Sequence, residues 1–513
     1  MRRLMMLVWS LAFGLVSANA FAQQVFFGNL HSHTSYSDGT GTPDDAFRRA
    51  RFDARLDFLA VTEHNHAQAE SGAGEREDGI LIATNPALYT GPAANALIPA
   101  ATRWTEDGKF VALYGQEFSS ISKGNHVNVF DVPKVIDSPN GDFKELLDWL
   151  NANRDSSGSV ALLQFNHPGL FDNPAIEYGR DDFPSIAAWI AALDPHVKLI
   201  EVLNGPAMTK VNGQRSSEVQ EEDYFAYLNL GFHVAPSAGQ DNHYATWGTA
   251  TDARVAVVAD RLTKTDILAA LKARHAYATE DKNLRVIFKV NGALMGDRIS
   301  PPAVGSVLDI QVSIKDDDEP DASYKIEVYS DVPGGPPATL GSPVNVFEVS
   351  GDTAGFKKLD GVRYREPGQF VFLKITQRSE HGDPDRAWTA PVWLEGPGAV
   401  TPPAPVEGGG LRIVRLIPDP EGSDEENESV TLRNTGNAPL ALAGWTLRDL
   451  SGKTWSLDGL GTIAAGEEKT IRRNGQPMTL NNDGDTIELL DPQQRRIQTV
   501  RYGPVSRGEV VTR

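Results

Sequence analysis

The 513-residue chain contains no cysteine. This absence excludes disulfide bonds, thiolate metal sites and cysteine nucleophiles. Basic residues are also scarce, with 48 Lys and Arg against 68 Asp and Glu and a formal net charge of −20. A surface this acidic repels phosphate backbones, which argues against general nucleic-acid binding. An anionic substrate would have to be held locally, by metal ions or by a small basic pocket.

Long apolar runs are absent beyond the N-terminus. The chain begins with Met1, Arg2 and Arg3, continues with an apolar run over residues 4–16, and then reaches a small-residue segment that ends at Ala22. A basic head, an apolar stretch of about a dozen residues and an Ala-x-Ala site are typical of a secretory signal peptide, whereas a membrane anchor needs roughly 20 apolar residues. We therefore predict a signal peptide at residues 1–22, export to the periplasm or the extracellular space, and no membrane span.

The chain is too long for one ordinary core, and its pattern changes along its length. From residue 23 to 283, short apolar strands alternate with amphipathic helices, which predicts an α/β domain with a parallel sheet or barrel. Residues 284–395 have the alternating pattern of a small antiparallel β-sandwich. The Pro- and Gly-rich segment 396–410 predicts a linker, and residues 411–513 predict another all-β domain.

Six short polar motifs in the first domain follow predicted strands or lie in loops. They contain six of the chain's 11 histidines together with carboxylates: His31, His33, Asp38, Glu63, His64, Glu117, His126, His167, Asp241 and His243. Functional groups of such folds gather after the carboxyl ends of the strands. Imidazoles and carboxylates without thiolates suit zinc, manganese or iron, and they are too many for one four-coordinate ion. We therefore predict two or three divalent metal ions.

In order and spacing these motifs resemble those of the PHP (polymerase and histidinol phosphatase) metal-dependent phosphoesterases. The matching segments are HSHT and SDG within 31–39, TEH at 62–64, GQE at 115–117, His126, NHP at 166–168 and DNH at 241–243. The resemblance covers about residues 25–282 and implies a distorted (β/α)7 barrel with a trinuclear site. It implies one ion held by His31, His33, Glu117 and Asp241, a second held by Glu117, His126 and His167, and a third held by Asp38, His64 and His243.

One position departs from that family's pattern. Glu63 stands where an aspartate is commoner, and we expect it to orient a ligand rather than to bind metal. The segment 271–279, which leads into a β domain, most resembles the carbaryl-hydrolase-related secreted branch of the superfamily. Residues 411–507 resemble the lamin-tail domain, an immunoglobulin-like sandwich that would serve here either as a spacing module or as a module that binds a surface or polymer.

These features predict hydrolysis of a small anionic phosphate mono- or diester by metal-bound hydroxide. Glu117, Asp241 and His243 are the predicted catalytic residues, and Asn204, His66 and Tyr244 are candidate substrate contacts. Two alternatives stay open. The same hydroxide could attack a carbonyl carbon, giving a carbamate, ester or amide hydrolase. The chain could also be a non-catalytic surface-binding protein, although every expected ligand position is filled. The loops that would distinguish a phosphate ester pocket from a carbonyl ester pocket, such as residues 70–98, have no sequence motif that indicates a substrate.

Overall fold

The structure of the chain is a computed structural model. It describes residues 23–66, 81–91, 95–169, 177–214, 217–333, 343–378, 384–395, 410–436, 438–449, 453–482, 484–492, 496–502 and 505–512. The signal peptide predicted at 1–22 and almost all of the linker predicted at 396–410 lie outside these residues.

The N-terminal part of the chain alternates strands and helices. Its strands are β1 Gln24–Asn29, β2 Phe58–His64, β3 Val111–Phe118, β4 Val127–Phe130, β5 Leu163–Phe165, β6 Val197–Asn204, β7 Glu218–Val219, β8 Ala235–Gly239, β9 Arg254–Ala259 and β10 Ala276–Thr279. Its helices are α1 Pro43–Phe52, α2 Ala87–Thr90, α3 Leu97–Trp104, α4 Phe143–Ala152, α5 Ile186–Leu193, α6 Glu221–Leu230 and α7 Lys264–Lys272.

Seven of these strands are neighbours in the order β1-β2-β3-β4-β5-β6-β8. All adjacent pairs are parallel except those made by β4, which runs antiparallel to both β3 and β5. Beyond β1 and β8 the chain is bridged in parallel between Ser32 and Asn242. The carboxyl ends of six strands and the amino end of β4 therefore lie at one edge of the sheet, where functional groups of parallel sheets collect.

Local sequence explains several of these elements. Helix α1 begins with a capping box, in which Thr42 and Asp45 bond each other's backbone N–H groups, and Pro43 occupies its first turn. Strands β2 and β3 are buried along their whole length, as expected of parallel strands covered on both faces. Helix residues such as Phe47 and Leu146 pack in the same apolar cluster as Leu59 of β2. This core fixes the strand ends that carry the polar motifs.

The middle of the chain is built from strands alone. They are β11 Arg285–Val290, β12 Ala293–Leu294, β13 Arg298–Ile299, β14 Ile310–Lys315, β15 Ser323–Asp331, β16 Asn345–Ser350, β17 Lys357–Leu359, β18 Gln369–Arg378, β19 Asp385–Thr389 and β20 Val392–Leu394. Strands β12-β11-β14-β17 form a separate sheet, whereas β10 pairs with β19 and so extends the N-terminal sheet into this region. Phe26 and Val257 of the N-terminal part share one apolar cluster with Val286 and Ile310.

The C-terminal part has its own core. Its elements are β21 Leu411–Ile417, α8 Asp424–Asn427, β22 Ser429–Asn434, β23 Leu440–Ala441, β24 Thr446–Asp449, β25 Thr454–Ser456, β26 Thr462–Ile463, β27 Glu468–Arg472, β28 Asp485–Leu490, β29 Arg496–Tyr502 and β30 Val511–Thr512. The sheets β27-β22-β21-β30 and β25-β24-β28-β29 surround buried Ile413, Leu447 and Trp455. The protein is thus multidomain, with one mixed sheet and several antiparallel sheets. No helix among the described residues is both long and apolar enough to cross a membrane.

Candidate metal centre

The nine predicted metal ligands lie at one edge of the N-terminal sheet. His31 and His33 follow β1, His64 ends β2, Glu117 lies near the end of β3, and His167 follows β5. Asp241 and His243 follow β8, and Asp38 lies in the turn after His33. His126 directly precedes β4, so the reversed direction of β4 brings it to the same edge. All nine side chains are buried or nearly so, and seven of them line a pocket of about 500 Å³.

Glu117 is the centre of the arrangement. Its carboxylate oxygens lie 2.9 Å from Nδ1 of His126, 3.0 Å from Nε2 of His31 and 3.2 Å from Nδ1 of His64. They also lie 3.2 Å from Nε2 of His33 and 3.4 Å from Nε2 of His167. Asn166 donates to the same carboxylate over 2.8 Å. One buried carboxylate therefore faces five imidazole nitrogens.

The first ligand group combines His31, His33, Glu117 and Asp241. The Oδ1 atom of Asp241 is 3.1 Å from Nε2 of both His31 and His33, and these two nitrogens are 3.3 Å apart. A tetrahedral ion with bonds of about 2.0–2.1 Å has ligand atoms roughly 3.3–3.4 Å from one another. The separations in this group match that spacing to within a few tenths of an ångström, so the group can enclose one small divalent ion.

Two further groups share residues with the first. Glu117, His126 and His167 have ligand atoms that all lie within 4.8 Å of one another, as do His33, Asp38, His64 and His243. In the latter group, Asp38 lies 3.2 Å from Nε2 of His243 and 3.5 Å from Nε2 of His64. The structure therefore brings together all nine residues that the sequence nominates. Two of the groups are those that the resemblance implies, and in the third group His33 joins Asp38, His64 and His243. A fourth combination, of His64, His66 and His126, also has converging ligand atoms.

Several of these close contacts are not hydrogen bonds. Among the described residues, five buried side-chain atoms of the cluster lack a hydrogen-bond partner: Asp38 Oδ1, His64 Nδ1, His126 Nδ1, His167 Nδ1 and Asp241 Oδ1. Buried polar atoms are normally paired, because leaving one unpaired costs about 1–3 kcal/mol. Nitrogen and oxygen lone pairs that crowd together without hydrogen bonds are satisfied by a shared cation. The donor set thus fits divalent metal ions.

The charges of the cluster support the same fit. Burial opposes ionisation of Glu117, but the imidazoles of His126, His31 and His64 outweigh it and hold its pKa well below the usual range. Burial likewise opposes ionisation of Asp241, whose pKa His31 and His243 lower. Burial also works against protonation of His33, yet the neighbouring carboxylates of Asp241 and Glu117 raise its pKa to about 10. Ionised carboxylates therefore attract positive charge to this point, which metal ions can supply in place of protons.

The backbone is strained at two predicted ligands. His167 and Asp241 have φ angles of 30° and 51°, in the left-handed region that non-glycine residues seldom adopt. The N–H of His167 donates to Glu201 over 2.8 Å, and the N–H of Asp241 donates to the carbonyl of His31 over 2.9 Å. Such conformations cost about 1–3 kcal/mol each and collect at functional sites, where surrounding contacts impose them.

Glu63 lies behind the ligands rather than among them. It accepts hydrogen bonds from the hydroxyls of Thr34 and Ser37 and from the backbone N–H of Thr34. Nδ1 of His33 is 3.2 Å from the Ser37 hydroxyl. Since Ser37 donates to Glu63, its oxygen accepts from His33, which leaves Nε2 of His33 free to face Glu117 and Asp241. This arrangement suits the orienting role that we predict for Glu63.

Sequence analysis missed one residue of the site, Glu201 in β6. Its carboxylate is fully buried and lies 2.9 Å from Nδ1 of His31. The signal in the sequence is a single acid, Glu201, inside the apolar run Leu199–Leu203, a run that by itself indicates only a buried strand. A carboxylate in such a run must be paired when the strand is buried.

The three candidate substrate contacts are placed differently. Asn204 lines the pocket. His66 packs near the rings of His64 and His126, with centroid distances of 5.1 and 6.4 Å, and Tyr244 lies under Lys210, but neither is among the described residues that line the pocket. Part of the pocket wall is apolar, formed by Ile121, Pro206, Ala207 and Met208.

Comparisons with known proteins give three findings. No curated protein matches the chain. A two-domain protein from Bacteroides vulgatus, described as containing a predicted PHP-like metal-dependent phosphoesterase, is 14% identical with a TM-score of 0.35, covering 69% of this chain and 90% of that one. A Mobiluncus mulieris adhesin with intramolecular disulfide, isopeptide and ester bond cross-links is 12% identical with a TM-score of 0.15, covering 41% and 80%. These two similarities are distant. Residues 405–504 match the family model described as Lamin Tail Domain, so the C-terminal part of the chain is similar to that family, as its sequence resemblance predicts.

Proposed function

We propose that the chain is an exported metal-dependent hydrolase of the PHP type that cleaves a phosphate mono- or diester. The observation that carries this proposal is the placement of one buried carboxylate, Glu117, against five imidazole nitrogens at 2.9–3.4 Å. In the proposal, the strands β1–β6 and β8 form the family's distorted (β/α)7 barrel. Within that family, we propose a place in the secreted, carbaryl-hydrolase-related branch, which the segment 271–279 resembles.

The residues divide among two or three ions of zinc, manganese or iron. His31, His33, Glu117 and Asp241 would hold one, Glu117, His126 and His167 a second, and Asp38, His64 and His243 a third. Bound divalent ions supply the Lewis acidity that makes a water nucleophilic near neutral pH and offsets negative charge on ester oxygens.

The protein's own side chains then set the geometry. Glu117 belongs to two groups, so it fixes the spacing between them. Asp241 and His243 line the pocket beside Asn204. Nδ1 of His243 faces the backbone carbonyl of Asp241 over 2.8 Å and its Nε2 would bind metal, so the second carboxylate oxygen of Asp241 is the atom that could hold a proton at the reacting oxygen. Glu63 and Glu201 fix the orientation of His33 and His31 from behind.

One observation favours a second candidate, hydrolysis of a carbamate, ester or amide. Among the described residues that line the pocket, none is Lys or Arg, and Ile121, Pro206, Ala207 and Met208 form an apolar wall. Such a wall suits an uncharged, apolar leaving group. The negative charge of a phosphate ester would then be neutralised by the metal ions alone, whereas an uncharged carbonyl substrate would need less neutralisation.

The test compares p-nitrophenol release from a phosphate monoester, a phosphate diester and a carboxylate ester by residues 23–513 in manganese- or zinc-supplemented buffer. Turnover of a phosphate ester that a chelator abolishes is the expected result. Turnover of the carboxylate ester alone would replace the first candidate with the second. His31→Ala serves as the matched variant, and full activity in a metal-poor His31→Ala protein would overturn both candidates.

The lamin tail domain completes the proposal as an accessory module that binds a surface or polymer outside the cytoplasm. Its separate core, which includes Trp455 and Leu447, allows it to act independently of the catalytic part. Co-sedimentation of residues 405–513 with isolated cell-envelope polymer would support this binding role. If residues 405–513 stay in the supernatant, the domain would instead be a spacing module.

A further inference from the structure

Glu201 has no role in the reaction outlined above beyond its contact with His31, yet both of its carboxylate oxygens are hydrogen-bonded within the site. One of its oxygens, Oε1, lies 2.9 Å from Nδ1 of His31 and accepts from Nε2 of Gln164 over 3.4 Å. The other, Oε2, accepts the backbone N–H of His167 and the side-chain amide of Asn204, each over 2.8 Å. The carboxylate is completely buried.

These contacts join parts of the site that belong to different ligand groups. His31 belongs to the first group and His167 to the second, while Asn204 lines the substrate pocket. A hydrogen bond from Nδ1–H of His31 to Glu201 fixes the ring tautomer. Nε2, which lies beside Glu117 and Asp241, then carries the lone pair that could bind metal. The bond to the backbone of His167 holds that residue at its strained φ of 30°.

The neighbouring parallel strand, β8, leaves room for the carboxylate of Glu201 at Gly239. A Cβ atom at Gly239 in β8 would lie 2.0 Å from Oε1 of Glu201 and 2.8 Å from Cβ of His31. The first distance is far below any real contact, so any larger residue at 239 would displace Glu201, His31 or both. Gly239 is therefore required by the close approach of Glu201, which explains a glycine inside a buried strand.

We infer that Glu201 is a positioning residue that sets the geometry of two metal-ligand groups at once, and that Gly239 is the residue that admits it. This inference rests on the proposed metal centre and adds a residue that the ligand motifs do not contain. It does not require that the substrate be a phosphate ester.

The substitution Glu201→Gln keeps the shape of the side chain and changes one acceptor oxygen into an NH2 donor. If the NH2 group faces His31, Nδ1 must accept and the proton moves to Nε2, which can then no longer bind metal. If it faces His167 and Asn204, three donors meet with no acceptor. Either orientation damages one ligand group, and changes at partners behind metal ligands typically weaken metal binding about 10–100-fold.

The experiment measures Co²⁺ binding to the chelator-stripped protein by calorimetry and by the visible absorption of bound cobalt, with no substrate present. Wild type, Glu201→Gln, Gly239→Ala and the remote control Glu221→Gln are compared, each as residues 23–513. Glu221 bonds Lys374 and Trp388, and among the described residues no hydrogen bond or ion pair joins it to a member of the cluster. We expect a 10–100-fold loss of affinity and altered absorption bands in Glu201→Gln and Gly239→Ala, with Glu221→Gln like wild type.

The outcomes separate this inference from the proposed function. If wild type binds cobalt and both site variants bind it within twofold of wild type with unchanged spectra, the positioning role is wrong while the metal centre stands. If wild type binds no cobalt, the metal centre and this inference fail together. If Glu201→Gln fails to fold, the cobalt affinity of Gly239→Ala tests the positioning role instead, because this variant keeps the Glu201 carboxylate but displaces it.

Discussion

Replacing Glu117 by glutamine should remove most of the stabilisation that metal ions give to the folded protein. The substitution preserves size and removes the charge that faces five imidazoles at 2.9–3.4 Å. Glu117 belongs to two of the three ligand groups, so two ions should be weakened together. A neutral amide is also a poorer ligand than a carboxylate for zinc or manganese.

The magnitude follows from mass action. At a free metal concentration 100 times the dissociation constant, each ion stabilises the folded state by about 2.7 kcal/mol, so two ions contribute roughly 5 kcal/mol. For a unit of about 250 residues, each kcal/mol moves the melting temperature by about 2–4 °C. With two ions bound, metal addition should therefore raise the melting temperature of the wild type by about 10–20 °C and that of Glu117→Gln by only a few degrees. A third ion, held by the group that lacks Glu117, would add about 5–11 °C to both.

Differential scanning calorimetry with chelator and with manganese or zinc measures this directly. The comparison uses the metal-induced shift within each variant, so a general loss of stability from the substitution does not affect it. Glu221→Gln changes a partly exposed carboxylate that pairs with Lys374; it is the matched control and should keep the full shift. An equal metal-induced shift in Glu117→Gln and wild type would refute the assignment of Glu117 as a shared ligand.

Three further predictions concern other parts of the molecule. Glu63→Gln should weaken metal binding about 10–100-fold without abolishing it, because Glu63 acts on His33 only through Ser37; unchanged affinity by calorimetry would contradict this. His233 bonds Asp194 and Glu395 over 2.9 Å each, and although burial opposes it, Asp194 raises its pKa. Its stabilisation should be complete below about pH 6.5 and be lost as pH rises through the raised folded-state pKa. Urea unfolding of His233→Phe should accordingly lack the alkaline loss of stability that we expect of the wild type, and the substitution should cost on the order of 3 kcal/mol near neutral pH. Identical dependence of the unfolding free energy on pH in the two proteins would show that protonation of His233 contributes nothing. Removal of residues 396–513 should leave ester turnover within about twofold, because the C-terminal core is separate, and a large loss of turnover would place that domain at the active site.

The sequence predicted those parts of the fold that local patterns determine. The apolar run at 57–62 predicted β2, and the alternating run at 285–290 coincides with β11. Motifs placed after parallel strands converge because parallel strands end at the same edge, which is why residues more than 200 positions apart in the sequence lie within contact distance. The metal ions themselves remain a prediction.

Other features depend on long-range packing, so local sequence patterns do not predict them. The apolar segment 232–236 indicates a strand, but β8 begins only at Ala235 and continues to Gly239, over small residues with little β-propensity. The glycine among them, Gly239, is explained by the carboxylate of Glu201, which no local pattern reveals.

The position of His126 and the extent of the sheet are further examples. His126 reaches the site because β4 runs against its neighbours, and strand direction is a property of the sheet. The pairing of β10 with β19 joins the N-terminal and middle parts of the chain across more than 100 residues. Composition changes near residue 284, but the hydrogen-bonded sheet does not end there.

The most direct test of the metal centre is the metal content of the purified chain. Residues 23–513, reconstituted with manganese or zinc and freed of unbound ions, would be analysed by inductively coupled plasma mass spectrometry beside Glu117→Gln. The ligand groups predict two or three ions per chain in the wild type and a loss of at least one in the variant. A wild-type protein that retains no divalent ion, or a variant that retains as many as the wild type, would contradict a metal centre built on Glu117.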